Sequence, residues 1–191
     1  MVSRIVITGA PASGKSECIN RLKQNPAFAA YLFFDEIARR LLQDNPHIRN
    51  DWMAFHLEIY RCQSEREKAE AGRSFITDRG TLDAFAFHPS AMDAVGTTIS
   101  REYLRYDLVV HLGSAARLGE EFYQKDAVRT ETTDEALRIE SALREVWSGH
   151  PQYRFVPAHS DYEQKFVNLL TILENHERQI ALDKPGAAAS L

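Results

Sequence analysis

Residues 9–16 read Gly9-Ala10-Pro11-Ala12-Ser13-Gly14-Lys15-Ser16, a complete G-x-x-x-x-G-K-S loop. It follows the apolar run Ile5-Val6-Ile7 directly and precedes a helix-like stretch that opens at Lys15. A triphosphate must be wrapped by backbone N–H groups at close range. Glycine-rich backbone permits that approach, and the following helix adds the positive end of its dipole. Strand, loop and helix in this order mark a nucleoside-triphosphate site. Gly9, Ala12, Ser13, Gly14, Lys15, Ser16 and Glu17 are its nucleotide-binding residues, with Lys15 reaching the β and γ phosphates and Ser16 the Mg²⁺. The alternative, a glycine turn that happens to carry a lysine, is disfavoured by the flanking strand and helix.

The chain has 191 residues, of which 44% are hydrophobic and 26% charged, enough for one α/β domain with a sizeable core and short for two. We therefore expect a single domain over residues 1–180, with a lid over about 115–132 and a flexible tail over 181–191. The net charge of −4 gives no electrostatic footprint for a nucleic acid polymer. No stretch approaches the roughly 20 apolar residues of a membrane span, and the first residues read as a strand instead of a basic, apolar signal. The protein is expected to be cytoplasmic, with no membrane partner. Cys18 and Cys62 are widely separated and form no C-x-x-C, so they read as packing residues.

β-rich apolar runs recur at Arg4 to Thr8, Tyr31 to Phe34, Phe75 to Thr77, Leu108 to Leu112 and Tyr153 to Val156, which predicts a five-stranded parallel sheet. Between them, Lys15 to Gln24, Glu36 to Gln43, Asp51 to Ala71, Thr97 to Leu104, Thr133 to Trp147 and Asp161 to His176 each present an apolar stripe at helical spacing. Strands alternating with helices imply right-handed crossovers and helices on both faces. Asn25-Pro26, Asn45-Pro46, His88-Pro89 and His150-Pro151 fall where helices should stop, since proline disfavours αR in the residue before it. Strand order and oligomeric state are not legible at this stage.

Open α/β sheets bind ligands at the carboxyl ends of their strands, and chemical residues collect there. Asp78 ends one strand and suits Mg²⁺ holding, or else caps the helix opening at Thr81. Arg79 next to it either grips a phosphoryl group or pairs with Asp83 at the surface. Asp35 and Glu36 follow the second strand; Glu36 is favoured to accept the acceptor's proton, with Asp35 next, against plain roles as helix cap and first-turn acid. Arg39, one turn on, faces Glu36 or substrate. Arg117 to Thr132 reads as a lid whose Arg117 and Arg129 add positive charge over the phosphates, against ordinary solvated charges. Pro157 and Ala158 end the fifth strand and offer backbone contacts to a base ring. Trp52, Phe55, Ile59 and Tyr60 fall at helical spacing and form core or one wall of an acceptor pocket, core being favoured. His88, His111 and His159 lack metal-ligand spacing and read as packing or surface residues.

With these pieces in order, the chain resembles P-loop nucleoside and nucleotide kinases, and is most similar to the NadR-like AAA-type ATPase/kinase family. The resemblance rests on Thr8-Gly9 through Ser16, on Glu36-Ile37-Ala38-Arg39, on Thr77-Asp78-Arg79-Gly80 with Asp83, and on Phe122-Tyr123 with Asp126 and Arg129-Thr130-Glu131. It implies a three-layer α/β/α kinase core that binds ATP and Mg²⁺, a base or substrate-orienting carboxylate at Glu36, and lid arginines. The lead expectation is a small-molecule kinase with a nucleoside-like acceptor. Its rival is a nucleotide-switched ATPase or GTPase module with no such acceptor. The rival is weakened because Tyr123-Gln124-Lys125-Asp126 is no guanine-reading Asn-Lys-x-Asp, and because Asp93-Ala94-Val95-Gly96 follows no strand.

Overall fold

Of five short runs rich in Val, Ile and Phe, the three central in the sheet are buried on both sides, as strands in the middle of an α/β sheet must be, and the outer two are partly exposed. In the computed structural model, which describes residues 2–123 and 131–183, the five runs form β1 (Arg4–Thr8), β2 (Leu32–Phe34), β3 (Phe75–Asp78), β4 (Leu108–Leu112) and β5 (Tyr153–Val156). All pairings are parallel and the order is β2-β3-β1-β4-β5. β1 is central, with Ile7 level with Asp78 on one side and Val110 on the other. The loop after β1 therefore opens between the carboxyl ends of β3 and β4, where the order of connections reverses and a crevice forms.

The helices are α1 (Lys15–Lys23), α2 (Ile37–Asp44), α3 (Trp52–Ala69), α4 (Thr81–Phe87), α5 (Ala91–Val95), α6 (Ile99–Tyr103), α7 (Thr133–Trp147) and α8 (Tyr162–Leu182). Alternation along β1 distributes two cores. Ile5 and Ile7 point to a layer built from Cys18, Ile19 and Leu22 of α1 and Phe166, Leu169 and Leu173 of α8. Val6 points to the opposite layer, where Leu82 and Phe85 of α4 meet Trp147 of α7. Each fully buried Ile or Leu contributes about 1.5–3 kcal/mol, so the two layers together carry the sheet. The predicted five-stranded parallel sheet with helices on both faces is thus observed. No helix among the described residues is long and apolar enough to cross a membrane.

Differences from the sequence reading are local. β2 begins at Leu32, because the Tyr31 N–H closes a turn onto the Phe28 carbonyl at 2.9 Å. Glu36 stands at the N-cap of α2 and Asp51 at that of α3, where its side chain accepts from the Ala54 N–H at 2.9 Å. Between β3 and β4 the chain forms three short helices, separated by the loop around Pro89 and by Gly96, whose φ of 67° ends α5; the helix expected over Thr97 to Leu104 is α6 and spans Ile99–Tyr103. α8 runs past His176 to Leu182, so residues 181 and 182 of the expected tail are helical. Residues 124–130 of the expected lid, and 184–191 of the tail, lie outside the described residues.

One joint between layers admits no side chain. A Cβ on Gly80 would stand 2.7 Å from Trp147 Cζ2 and 3.0 Å from Val6 Cγ2. The indole cannot step aside, because its Nε1 donates to Asp83 Oδ1 at 2.7 Å. Gly80→Ala should therefore lower stability by about 1–3 kcal/mol through overpacking. Urea unfolding measures this, and an unshifted midpoint would refute the fit.

Candidate functional site

The loop after β1 holds its shape with backbone that few residues tolerate. Gly9 has φ 153° and Gly14 has φ 77°, while Ala12 occupies the left-handed region at 58°. A Cβ on Gly9 would meet the Leu112 carbonyl at 2.5 Å. α1 begins at Lys15, so its N-terminus faces the hollow that the loop encloses. Lys15 is buried, and its Nζ donates to the Gly9 carbonyl at 2.6 Å and to Ser13 Oγ at 3.3 Å. Burial and then Arg79 lower its pKa, against the carboxylates of Asp78, Glu36 and Asp83. Ser16 and Glu17 are exposed at the mouth.

Across the hollow, Asp78 closes β3. One of its oxygens, Oδ1, is buried and has no hydrogen-bond partner. Burial pushes its carboxyl up, and Lys15 opposes that. An orphaned buried carboxylate oxygen is the donor a hydrated cation seeks. Ser16 and Asp78 line one hollow of about 300 Å³ together with Asp35 and Glu36, so the residues present fit Mg²⁺. No group of three or more acidic, His or Cys side chains able to hold a metal alone occurs among the described residues; a cation here would draw its remaining ligands from phosphate and water.

Arg79 is the hinge of the site. It is a non-glycine residue with φ 70°, a conformation that costs of order 1–3 kcal/mol and persists only where surroundings impose it. Its N–H donates to the Ile7 carbonyl at 3.0 Å, and its own carbonyl accepts from Thr77 Oγ1 at 2.9 Å. So held, the side chain forks: Nε donates to Glu36 Oε1 at 2.7 Å and an Nη to Asp83 Oδ2 at 3.2 Å. Asp83 is 2% exposed and also accepts from Thr8 Oγ1 at 2.7 Å and from the Trp147 indole. Arg79's ion pair with Asp83 thus exists, but in the interior and not at the surface. Burial raises the Glu36 carboxyl, yet Arg79 and Lys15 outweigh it and bring it down to about 2.

Two adjoining spaces meet at this cluster. One, of about 510 Å³, is lined by the phosphate loop with Glu36, Arg39 and Arg79. The other, of about 420 Å³, has Glu36, Arg79 and Asp83 at one end and Trp52, Phe55, His56 and Phe87 as aromatic walls. His56 lies between Trp52, at 5.8 Å, and Phe87, at 5.1 Å, both near-parallel to it. Its Nδ1 bonds the Trp52 carbonyl at 2.7 Å, and burial lowers its pKa. Trp52, Phe55 and Ile59 of the predicted stripe do line this cavity. Tyr60 does not line it; it packs on Phe85 and donates to Glu102 at 3.0 Å. His88 reaches the cavity wall, 4.8 Å from the His56 ring, whereas His111 is buried against Tyr153 and His159 is exposed.

Other expected residues are placed differently. Asp35 borders the metal-side hollow, but its carboxylate is exposed and bonded to Lys23 at 2.7 Å, which leaves Glu36 as the carboxylate in the cluster. Arg117 is engaged by the fully buried Glu140 instead of reaching toward the phosphate hollow. Arg129 lies outside the described residues. Pro157 is exposed, and the adjacent Ala158 packs against Gly113 at the end of β4. Gln63 and Trp147 also belong to the cluster around Arg79 and Asp83, and neither was expected there from the sequence. Gln63 continues the Phe55–Ile59 face by one more turn and donates to Thr77 Oγ1 at 2.9 Å, a signal the spacing did carry. Trp147 had none, since its partner is 64 residues away.

A family model described as AAA domain matches residues 4–165. The chain belongs to this AAA domain family. No curated protein matches it significantly in sequence. Among solved structures, deoxyadenosine kinase from M. mycoides with bound dATP is similar at a TM-score of 0.63 and 14% identity, covering 90% of this chain and 99% of that one. The same kinase with the products dCMP and a flexible dCDP gives 0.64 and 13%, with the same coverage. At such identity the likeness is one of fold: this AAA domain is a P-loop protein with a nucleoside-kinase-like three-layer architecture.

Glu36 offers a test that needs no ligand. Its pKa falls from 4.5 to about 2 on folding, so the folded chain binds the proton more weakly than the unfolded one. Its stabilisation is complete above about pH 4.5 and fades as pH drops toward 2. Glu36→Gln, which cannot titrate, should lose less stability than the native chain between about pH 5 and pH 3. Urea unfolding at successive pH values measures this; parallel curves would mean that Glu36 is not held ionised.

Proposed function

We propose that this AAA domain is an ATP-dependent kinase that transfers the γ-phosphoryl group to a hydroxyl of a nucleoside-like small molecule. The observation that carries the reading is the Glu36–Arg79–Asp83 cluster, which stands where the phosphate hollow and the aromatic cavity meet. A binding module needs only the first space. A kinase needs both, with a carboxylate between them. The aromatic walls suit a planar base, and the deoxyadenosine kinase of similar fold, whose structures hold dATP or dCMP and dCDP, supports a nucleoside-like acceptor.

The roles follow from position. Gly9, Ala12, Ser13 and Gly14 cradle the triphosphate with backbone N–H groups. Lys15 exchanges its Gly9 carbonyl for phosphate oxygens. Ser16 and Asp78 hold Mg²⁺, which when bound supplies charge neutralisation on the phosphates. Glu36 accepts a hydrogen bond from the acceptor hydroxyl and aims its oxygen at the γ phosphorus. As that oxygen bonds to phosphorus and the bond to the β–γ bridging oxygen breaks, the hydroxyl proton passes to Glu36 and on to solvent, and ADP leaves. A carboxylate with a pKa near 2 is a weak base, so proton transfer comes late, which suits the loose transition state of phosphoryl transfer. Arg79 fixes Glu36 and adds positive charge beside the transferring group. Asp35 and Glu17 have peripheral parts in this scheme, at the exposed mouth of the hollow.

The test is ADP release from MgATP across a panel of nucleosides and related hydroxyl compounds. One or more should raise turnover above the acceptor-free rate. With that acceptor, Glu36→Gln should lower kcat by about a hundredfold with ATP affinity retained, whereas Lys15→Ala should lower both. Tight MgATP binding with no acceptor-dependent ADP, or an unaltered rate in Glu36→Gln, would overturn the proposal.

A further inference from the structure

A second lysine meets the phosphate loop from behind. Lys165 sits on the first turn of α8, is 4% exposed, and makes no contact with either space of the candidate site. Its Nζ donates to the Ser13 carbonyl at 2.8 Å and to the Gly113 carbonyl at 2.5 Å. These carbonyls lie 100 residues apart in the chain, one in the loop after β1 and one at the end of β4. Burying an ammonium is costly unless it is well bonded, so a lysine kept here marks a constraint that an apolar side chain would not meet.

Peptide planarity shows what the constraint does. In a trans peptide the C=O and the following N–H point in opposite directions. Fixing the Ser13 carbonyl on Lys165 therefore turns the Gly14 N–H away from α8, toward the hollow. The same holds at the second carbonyl, and there both ends are gripped: the Ser114 N–H, opposite the Gly113 carbonyl, donates to Glu140 Oε2 at 2.6 Å. One peptide unit is thus stretched between a buried cation and a buried anion. Ser114 then returns to the phosphate loop, with its Oγ donating to the Pro11 carbonyl at 2.6 Å and the Ala115 N–H to the Ala12 carbonyl at 3.0 Å. Gly113 also abuts Ala158 after β5 so closely that a Cβ would come within 2.7 Å of its nitrogen. Three loops that line the carboxyl edge of the sheet are joined through this point.

We propose that Lys165 is a positioning residue for the triphosphate: it pins the Ser13 and Gly113 carbonyls from behind and so keeps the phosphate-loop amides aimed into the hollow. It touches no phosphate itself. Burial brings its ammonium down to about 8, with Cys18 and Glu140 opposing and Lys15 adding to that shift, so it remains charged at neutral pH. This inference rests on the nucleotide-binding part of the proposed function and not on the identity of the acceptor.

Calorimetric titration with MgATP, with no acceptor present, tests it. Lys165→Met keeps the length and removes charge and donors; it should weaken MgATP binding about tenfold or more, and Lys165→Arg, which restores both, should recover most of the loss. Thermal unfolding of the nucleotide-free variants separates positioning from mere stability: the affinity loss should persist at temperatures where each variant is fully folded. Should Lys165→Met fail to fold, Lys165→Gln, which keeps a donor without the charge, is expected to lose affinity in the same sense. Native-like MgATP affinity in the folded Met or Gln variant would overturn the assignment of Lys165 alone. No MgATP binding by the native chain would overturn the nucleotide reading, and this inference with it.

Discussion

A single buried carboxylate organises the polar groups that meet at the carboxyl ends of β1 and β3. Asp83 accepts hydrogen bonds from Thr8 at the end of β1, from Arg79 after β3 and from Trp147 at the end of α7. Each partner belongs to a different element, so the carboxylate fixes the distance between the central strand, its neighbour and the covering helix. Removing such an acceptor would leave a buried guanidinium, hydroxyl and indole N–H short of partners at once, and the cost of unpaired buried donors exceeds the net worth of the bonds themselves. Through Arg79 the same constraint reaches Glu36, the carboxylate between the two cavities, which Arg79 aims and, with Lys15, holds ionised.

The phosphate loop shows the same economy in backbone. Its glycines take up conformations that other residues adopt only at a cost, its carbonyls are engaged by Lys15 and Lys165, and the loop after β4 braces it through Ser114. Loops generally move more than the strands they join. This one is held by side chains of α1 and α8 and by a hydroxyl from the far side of β1, a degree of preorganisation that anion binding by N–H groups rewards.

How much of this the sequence revealed depends on distance along the chain. The loop itself is a contiguous pattern with a physical reason for each residue, and it was legible outright. Strands betrayed themselves by short runs of β-branched and aromatic residues, and Asp78, Arg79 and Glu36 by their places just past strand ends. What stayed hidden was long-range. Asp83 looked like a neighbour of Arg79 only because four residues separate them; its bonds to Thr8 and Trp147 span 75 and 64 residues. Lys165 was one more charge on an amphipathic helix, with nothing local to say that it points inward. Arg117, expected over the phosphates, is instead engaged by Glu140, whose burial mid-helix no propensity rule foretells.

The central place of the first strand also has a price during biosynthesis. β1 pairs on one side with residues near 75 and on the other with residues near 108. At a translation rate of about 5–20 residues per second, the segment Ile5-Val6-Ile7 and its attached glycine loop wait roughly 5–20 s on the ribosome before both flanking strands have been made. A nascent chain exposing that apolar ribbon invites chaperone capture, and the triphosphate cradle cannot form until the chain emerging behind it has closed around it.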